Sequence, residues 1–212
     1  MPGISVCAVD VGSLANIGWW RVPVGDEPTA GCDLDSLVDA VANDLIAGRG
    51  VALGFEAPLF IPVPADHGGL NLQRAGDHGR PWSAGAGPIA LALGLQHAAY
   101  VFKKLAEVVH PVITFDPEGL RSGKANLLVW EAFVSGHSKN RAAEDPHVDD
   151  SRLAVNEFTR RYSTGLVESD VDEPVVLSLV AAGLLASGLT TDLSLLHQSC
   201  VVVAPPAQLP WK

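Results

Sequence analysis

Positive charge is scarce in this chain: 14 lysines and arginines face 24 aspartates and glutamates, a net charge of −10 over 212 residues. Surfaces that bind nucleic acid regardless of sequence set Lys and Arg against phosphates, so this balance excludes a large surface of that kind. A local basic groove, or divalent cations held by carboxylates, can still reverse the sign where it matters. Cysteine is also sparse. Cys7, Cys32 and Cys200 are scattered, odd in number and without Cys-x-x-Cys spacing, which argues for reduced thiols in a cytoplasmic protein. No Gly-x-Ser-x-Gly elbow supports serine-hydrolase chemistry. No cationic, small-residue leader precedes the first strand, so secretion is not expected. The longest uncharged window, Pro174 to Thr191, is broken by Ser178, Gly183, Ser187 and Gly188 and reads as a core helix, with no membrane partner expected. No repeat, low-complexity tract or linker divides the chain, and its length and 48% hydrophobic content fit one α/β domain over residues 1–212.

Against these absences stands an apolar first strand, Gly3 to Gly12, that delivers one carboxylate, Asp10, to its carboxyl end. A buried strand rarely carries an acid without a use for it. Small turn-forming residues from Gly12 to Gly18 lead into Trp19–Val24, a hairpin pattern in which Trp19 and Trp20 serve packing. Any third strand between Gly25 and Cys32 must be short. Leu34, Leu37, Val38, Val41, Leu45 and Ile46 recur at helical spacing until Gly48-Arg49-Gly50, predicting a helix over 34–47. Val51–Glu56 follows as a buried strand that also ends in an acid. Strand, helix, strand in this order predicts a parallel pair.

Ala57 to Pro88, rich in proline and glycine, predicts a long irregular loop, of the kind that is usually functional. Asp66-His67 and Asp77-His78 within it lack a third ligand at fixed spacing and read as polar loop surface. Helix over 89–109, short strand over 112–115, strand over 127–133 carrying Glu131, helix over 147–162, buried helix over 175–189 and a last strand over 199–203 complete the pattern.

Asp10 and Glu56 fall at the carboxyl ends of neighbouring strands, where open α/β sheets place their sites. Glu131 lies in a third strand. In Asp145-Pro146-His147-Val148-Asp149-Asp150, Asp145 caps a helix with Pro146 at its first position. At 100° per residue His147 falls on the apolar face of that helix and Asp150 at its edge, whereas Asp149 lies on the far side and serves the helix dipole. Converging acids repel and take up protons unless a cation neutralises them. Two divalent ions held by carboxylates are a common solution, and they support in-line displacement at phosphorus. Oxygen ligands suit Mg²⁺ or Mn²⁺. The chemistry implied is phosphodiester hydrolysis, with Asp10, Glu56, Glu131 and Asp150 as its carboxylates.

Asp10 on strand one, a hairpin, a helix, Glu56 ending a later strand, and His147 and Asp150 opening a late helix resemble the ribonuclease H-like superfamily. The acid pattern is closest to RuvC-type Holliday-junction resolvases and to predicted ribonuclease H-like nucleases. The resemblance implies a three-layer fold with a mixed central sheet flanked by helices. It also implies Asp10, Glu56 and Asp150 as metal ligands, with His147 and Glu131 as further candidates, and nucleic acid as substrate. A second copy of the chain is a further candidate partner. Arg80 and Trp82, before the Gly85/Gly87 run, are candidates for holding a phosphate or stacking a base. Other readings stay open. Glu56 has potential partners in Arg74 and Arg80, and Glu131 fits a structural ion pair equally well. The same scaffold could serve an actin-like nucleotide-binding relative through Asp10-Val11-Gly12-Ser13, or a catalytically silent binding module.

Overall fold

A computed structural model describes residues 3–77, 79, 81–134, 138–139 and 143–206. The first strand, β1 (Ile4–Asp10), pairs antiparallel with β2 (Gly18–Pro23), which pairs antiparallel with a three-residue β3 (Thr29–Gly31). After α1 (Leu34–Ile46) the chain returns as β4 (Gly50–Glu56), parallel to β1. The strand β5 (Phe60–Pro62), the long helix α2 (Gly87–Ala106), β6 (Ile113–Thr114) and the short α3 (Pro117–Arg121) lead to β7 (Leu127–Ala132), parallel to β4. Then come α4 (Pro146–Ser163), β8 (Val176–Ser178), α5 (Leu179–Ser187) and β9 (Val202–Val203). The main sheet is mixed and seven-stranded, in the order β3-β2-β1-β4-β7-β6, with β9 also on β7; β5 and β8 form a separate antiparallel pair.

The central strands are buried on both faces, as parallel strands covered by helices on each side must be. One face, with Val9, Leu53 and Phe55, packs in a core with Leu37 of α1, Phe102 of α2 and Leu184 of α5. The other, with Val6, Ala8 and Leu128, packs against Ala154, Val155 and Phe158 of α4. The result is a three-layer α/β arrangement. Trp130 of β7 is fully buried and lies against the Phe158 ring, centroids 4.6 Å apart. The indole fits because Gly54 sits beside it on β4: a Cβ there would stand 2.5 Å from the ring.

Several expectations change. The predicted buried helix over 175–189 divides into β8 and α5. Val176 pairs with Pro62 of β5, and the Ser178 side chain accepts from Ala181 N–H, so the helix cannot begin earlier. Gly188, at φ 76°, closes α5 in the left-handed conformation. The segment 57–88 is not wholly irregular, because it holds β5 and a 3-10 turn at His67–Gly69 and ends inside α2. The single-turn α3 was not foreseen, and the last strand shrinks to Val202–Val203. Among the described residues no helix is long and apolar enough to cross a membrane.

Hairpin and helix are also joined by charge. Arg21 of β2 donates to both oxygens of Asp44 on α1, at 2.6 and 2.5 Å, and Arg49 adds a third contact at 2.9 Å. Burial pushes the Asp44 carboxyl up, but its contacts with Arg21 and Arg49 help to outweigh this, and the group lies below its ordinary value. A carboxylate lowered in this way stabilises the fold fully above its unfolded pKa, about 3.9, and loses that contribution as pH falls through the lowered value. The melting temperature should therefore fall as pH drops below about 4, and Asp44→Asn should flatten that dependence. At neutral pH the variant should lose about 3 kcal/mol, the low end for removing one partner of a buried pair, because Arg49 is partly exposed. Thermal melts across pH 2.5–7, values set by the pKa range above, check both.

Candidate metal centre

Register alone sets the first two carboxylates side by side: in the parallel pairing of β1 and β4, Asp10 stands opposite Glu56 at the carboxyl ends of both strands. They share a pleat face, the one covered by α4. That helix begins where the Asp145 side chain accepts from the N–H groups of His147 and Val148, with Pro146 in the first turn. Asp150 then points inward and is buried, as is Asp10. Asp10, Glu56 and Asp150 each offer one oxygen within 4.8 Å of the others. Asp149 is not among these three and pairs with Arg152.

Two small residues fix how α4 meets the sheet. The Ser151 hydroxyl donates to the Gly18 carbonyl at 2.7 Å and accepts from the Asp10 N–H at 2.8 Å, tying the helix to both arms of the hairpin. Gly18 allows the contact: a Cβ there would lie 2.3 Å from the Val148 nitrogen and 2.4 Å from the His147 carbonyl carbon. Any side chain at 18 would push the helix, and Asp150 with it, away from Asp10.

The acids are partly neutralised within the chain. Lys139 places its ammonium 2.9 Å from Glu56 Oε1 and 2.5 Å from Asp150 Oδ2. Burial, followed by the neighbouring Asp10 charge, raises the Glu56 carboxyl well above the usual range. Burial likewise raises Asp150, although Lys139 opposes the shift. For Lys139, burial works against the charge, but Glu56, Asp150 and Asp10 outweigh it and raise its pKa. One amine therefore serves three carboxylates, and Glu56 Oε2 is buried with no hydrogen-bond partner among the described residues. An orphaned anionic oxygen beside two further carboxylates is an oxygen-rich setting that can hold a metal ion.

His147 lies beside these groups, its Nδ1 2.5 Å from Asp10 Oδ2. That ring nitrogen is committed to Asp10, so His147 enters as a partner of a ligand, not through Nδ1 as a ligand itself.

Glu131 does not join them. In the β4–β7 register it stands opposite Phe55, one residue short of Glu56, so the pleat turns its side chain to the other face of the sheet. There Arg74 takes both its oxygens, at 2.6 and 2.8 Å, and the Leu59 N–H donates at 2.9 Å. Asp77 holds the other flank of the guanidinium, and all three side chains are about 1% exposed. Asp77, expected on the loop surface, is thus a buried ion-pair partner. Arg74, offered as a partner for Glu56, belongs to Glu131, and Glu56 pairs with Lys139. A carboxylate with both oxygens in a buried bidentate pair has no open position for a metal.

Glu56, Lys139 and His147 open onto a cleft of about 760 Å³ walled by Trp82 and Gly87 from the long segment before α2. The Trp82 indole N–H donates to the Leu72 carbonyl at 3.0 Å, which holds the ring in that wall. Arg80 lies outside the described residues. Lys139 escaped the sequence reading because a single lysine in an aperiodic stretch carries no positional signal. Comparison with protein-family models, with curated proteins and with solved structures finds no match for this chain.

Removing the Ser151 hydroxyl should loosen the centre without touching a ligand. Ser151→Ala should weaken Mn²⁺ binding by about 10- to 100-fold, the range for groups that orient metal ligands, as read by calorimetry. Lys139→Ala should act oppositely on metal dependence. Its melting temperature should fall in metal-free buffer and rise more steeply with added Mn²⁺ than that of the parent chain, because the ion replaces the missing charge.

Proposed function

We propose that this chain is a metal-dependent nuclease or phosphodiesterase with a ribonuclease H-like fold, cutting a nucleic-acid phosphodiester at the centre formed by Asp10, Glu56 and Asp150. The observation that carries the reading is the meeting of three carboxylate oxygens within 4.8 Å, drawn from β1, β4 and α4, at the mouth of a cleft. The strand order supports it: an antiparallel three-strand unit, β3-β2-β1, continues into the parallel strands β4 and β7. The ribonuclease H resemblance implies a mixed central sheet flanked by helices, and this sheet is mixed.

The donor set is all oxygen, which suits Mg²⁺ or Mn²⁺ over softer metals. When bound, such an ion supplies Lewis-acid stabilisation of charge at phosphorus and a more acidic water. The protein's own groups do the rest. Asp10, Glu56 and Asp150 hold the cation, and Ser151 fixes the Asp10 backbone. His147 keeps the Asp10 carboxylate oriented through Nδ1. Lys139 offsets the negative charge of the acids, and its amine faces the cleft that a phosphate would enter. A net charge of −10 is compatible with this reading because cations concentrated at one site set the local sign. Trp82 offers a flat apolar wall against which a base can stack.

The test is cleavage of branched, hybrid and single-stranded nucleic acids and of bis(p-nitrophenyl) phosphate with Mg²⁺ or Mn²⁺. Asp10→Asn should lower the rate by at least about 100-fold, the upper end of what losing an orienting group alone costs, and a chelator should abolish it. Equal rates in variant and parent would remove the mechanism and leave a binding module.

A further inference from the structure

A second cavity, of about 600 Å³, opens between the start of α1, the middle of α2 and the turn after β1. Its position follows from the same strand as the metal centre. Gly12 and Ser13 line it, and Gly12 is two residues beyond Asp10, a chain distance of at most about 7 Å. Successive stretches of α2 line the two hollows: Gly87 and Ala90 line the cleft, and Leu93, Gln96 and His97 line this cavity.

The chemistry of its lining is distinctive. Ile17 and Leu34 are buried, and Leu14, 83% exposed, stands on the rim. Among the described residues no lysine or arginine lines it. Its two carboxylates are already engaged: Asp33 caps α1 through Ser36, and Asp35 accepts from the Tyr100 hydroxyl at 2.5 Å. Against these stands one buried group with nothing to bind. His97 is 5% exposed, its Nδ1 is sealed from solvent, and neither ring nitrogen hydrogen-bonds another described residue. Burial lowers its pKa, so the ring is neutral near pH 7. With Nδ1 sealed, Nε2 is the atom left to the cavity that His97 lines. The Ser13 hydroxyl and the Gln96 amide likewise make no hydrogen bond with the described residues.

A pocket with apolar walls, neutral donors and acceptors, and carboxylates at its mouth repels a phosphate and accepts a flat uncharged heterocycle. We infer that this cavity is the nucleobase pocket of the site: it holds the base of a nucleotide whose phosphate lies at Asp10, Glu56 and Asp150, with Gln96 and the His97 Nε2 reading the base edge. The inference rests on the proposed phosphodiester chemistry for the placement of the phosphate, but base binding itself needs neither metal nor cleavage. An amide side chain can both donate to and accept from a base edge, and the His97 Nε2, which bonds no described residue, can join it there.

The probes are adenosine, guanosine, cytidine and uridine, which carry no phosphate, titrated against the metal-free full chain by calorimetry and by NMR of the His97 and Gln96 side chains. The expected result is saturable binding of at least one nucleoside with Kd of about 1 mM or tighter. Shifts should centre on those side chains, and Gln96→Ala, an exposed position that leaves the core intact, and His97→Leu should each weaken binding by about tenfold or more. Absence of saturable binding by all four nucleosides would overturn the inference, as would binding undiminished in both variants. The phosphodiesterase reading is judged separately by the Asp10→Asn comparison on bis(p-nitrophenyl) phosphate, which has no base, so either can fail while the other stands.

Discussion

Charge taken out of water has to be compensated, and in this protein three carboxylates are drawn together at one rim of a buried sheet. Their mutual repulsion and their burial push in the same direction, toward protonation, and Glu56 and Asp150 both show it. Everything around the rim answers that demand in part. Lys139 supplies one positive charge across Glu56 and Asp150, His147 engages Asp10, and Ser151 holds the Asp10 backbone. Among the described residues the compensation stays incomplete, since one oxygen of Glu56 is sealed without a partner. Three carboxylates with one ammonium among the described residues make a setting suited to a small hard cation, and this carries the functional reading.

The sheet separates two ionic clusters with opposite purposes. On the α4 face the acids converge on the Lys139 amine, and one Glu56 oxygen has no partner among the described residues. On the other face, Glu131, Arg74 and Asp77 form a closed set in which the guanidinium is matched on both flanks and stacked on the Phe60 ring, 4.7 Å from its centroid. The first cluster has a vacancy in its bonding and borders a cleft. In the second, one guanidinium holds two carboxylates through direct hydrogen bonds, as a structural anchor requires.

That separation explains which residues could be read from the sequence. Asp10 and Glu56 were legible because each ends an apolar run in a strand–helix–strand unit, which fixes parallel pairing and puts both ends together. Asp150 was legible because helix periodicity distinguishes it from Asp149. Glu131 was not. A strand buried on both faces has no alternation of apolar and polar residues, so nothing in Leu127–Ala132 reveals which way its acid points, and the one-residue offset against Glu56 is a property of the folded register. Lys139 and Arg74 are single cations in aperiodic stretches, whose partners are chosen by tertiary structure alone. The split of 175–189 into β8 and α5 was hidden for a related reason: Val176 and Leu177 are as apolar as the helix they precede, and only the pairing with β5 marks them as strand.

The buried arginine has one more consequence. Arg74 sits near the midpoint of the long segment between β4 and α2, so pinning it to β7 turns one wide excursion into two shorter tethers, each with less freedom to lose. The downstream tether carries Trp82, itself held by Leu72. The wall above the acids is therefore built in advance, and the protein should select its ligands by the shape it already has, with little of the swinging closure by which other long loops wrap their substrates.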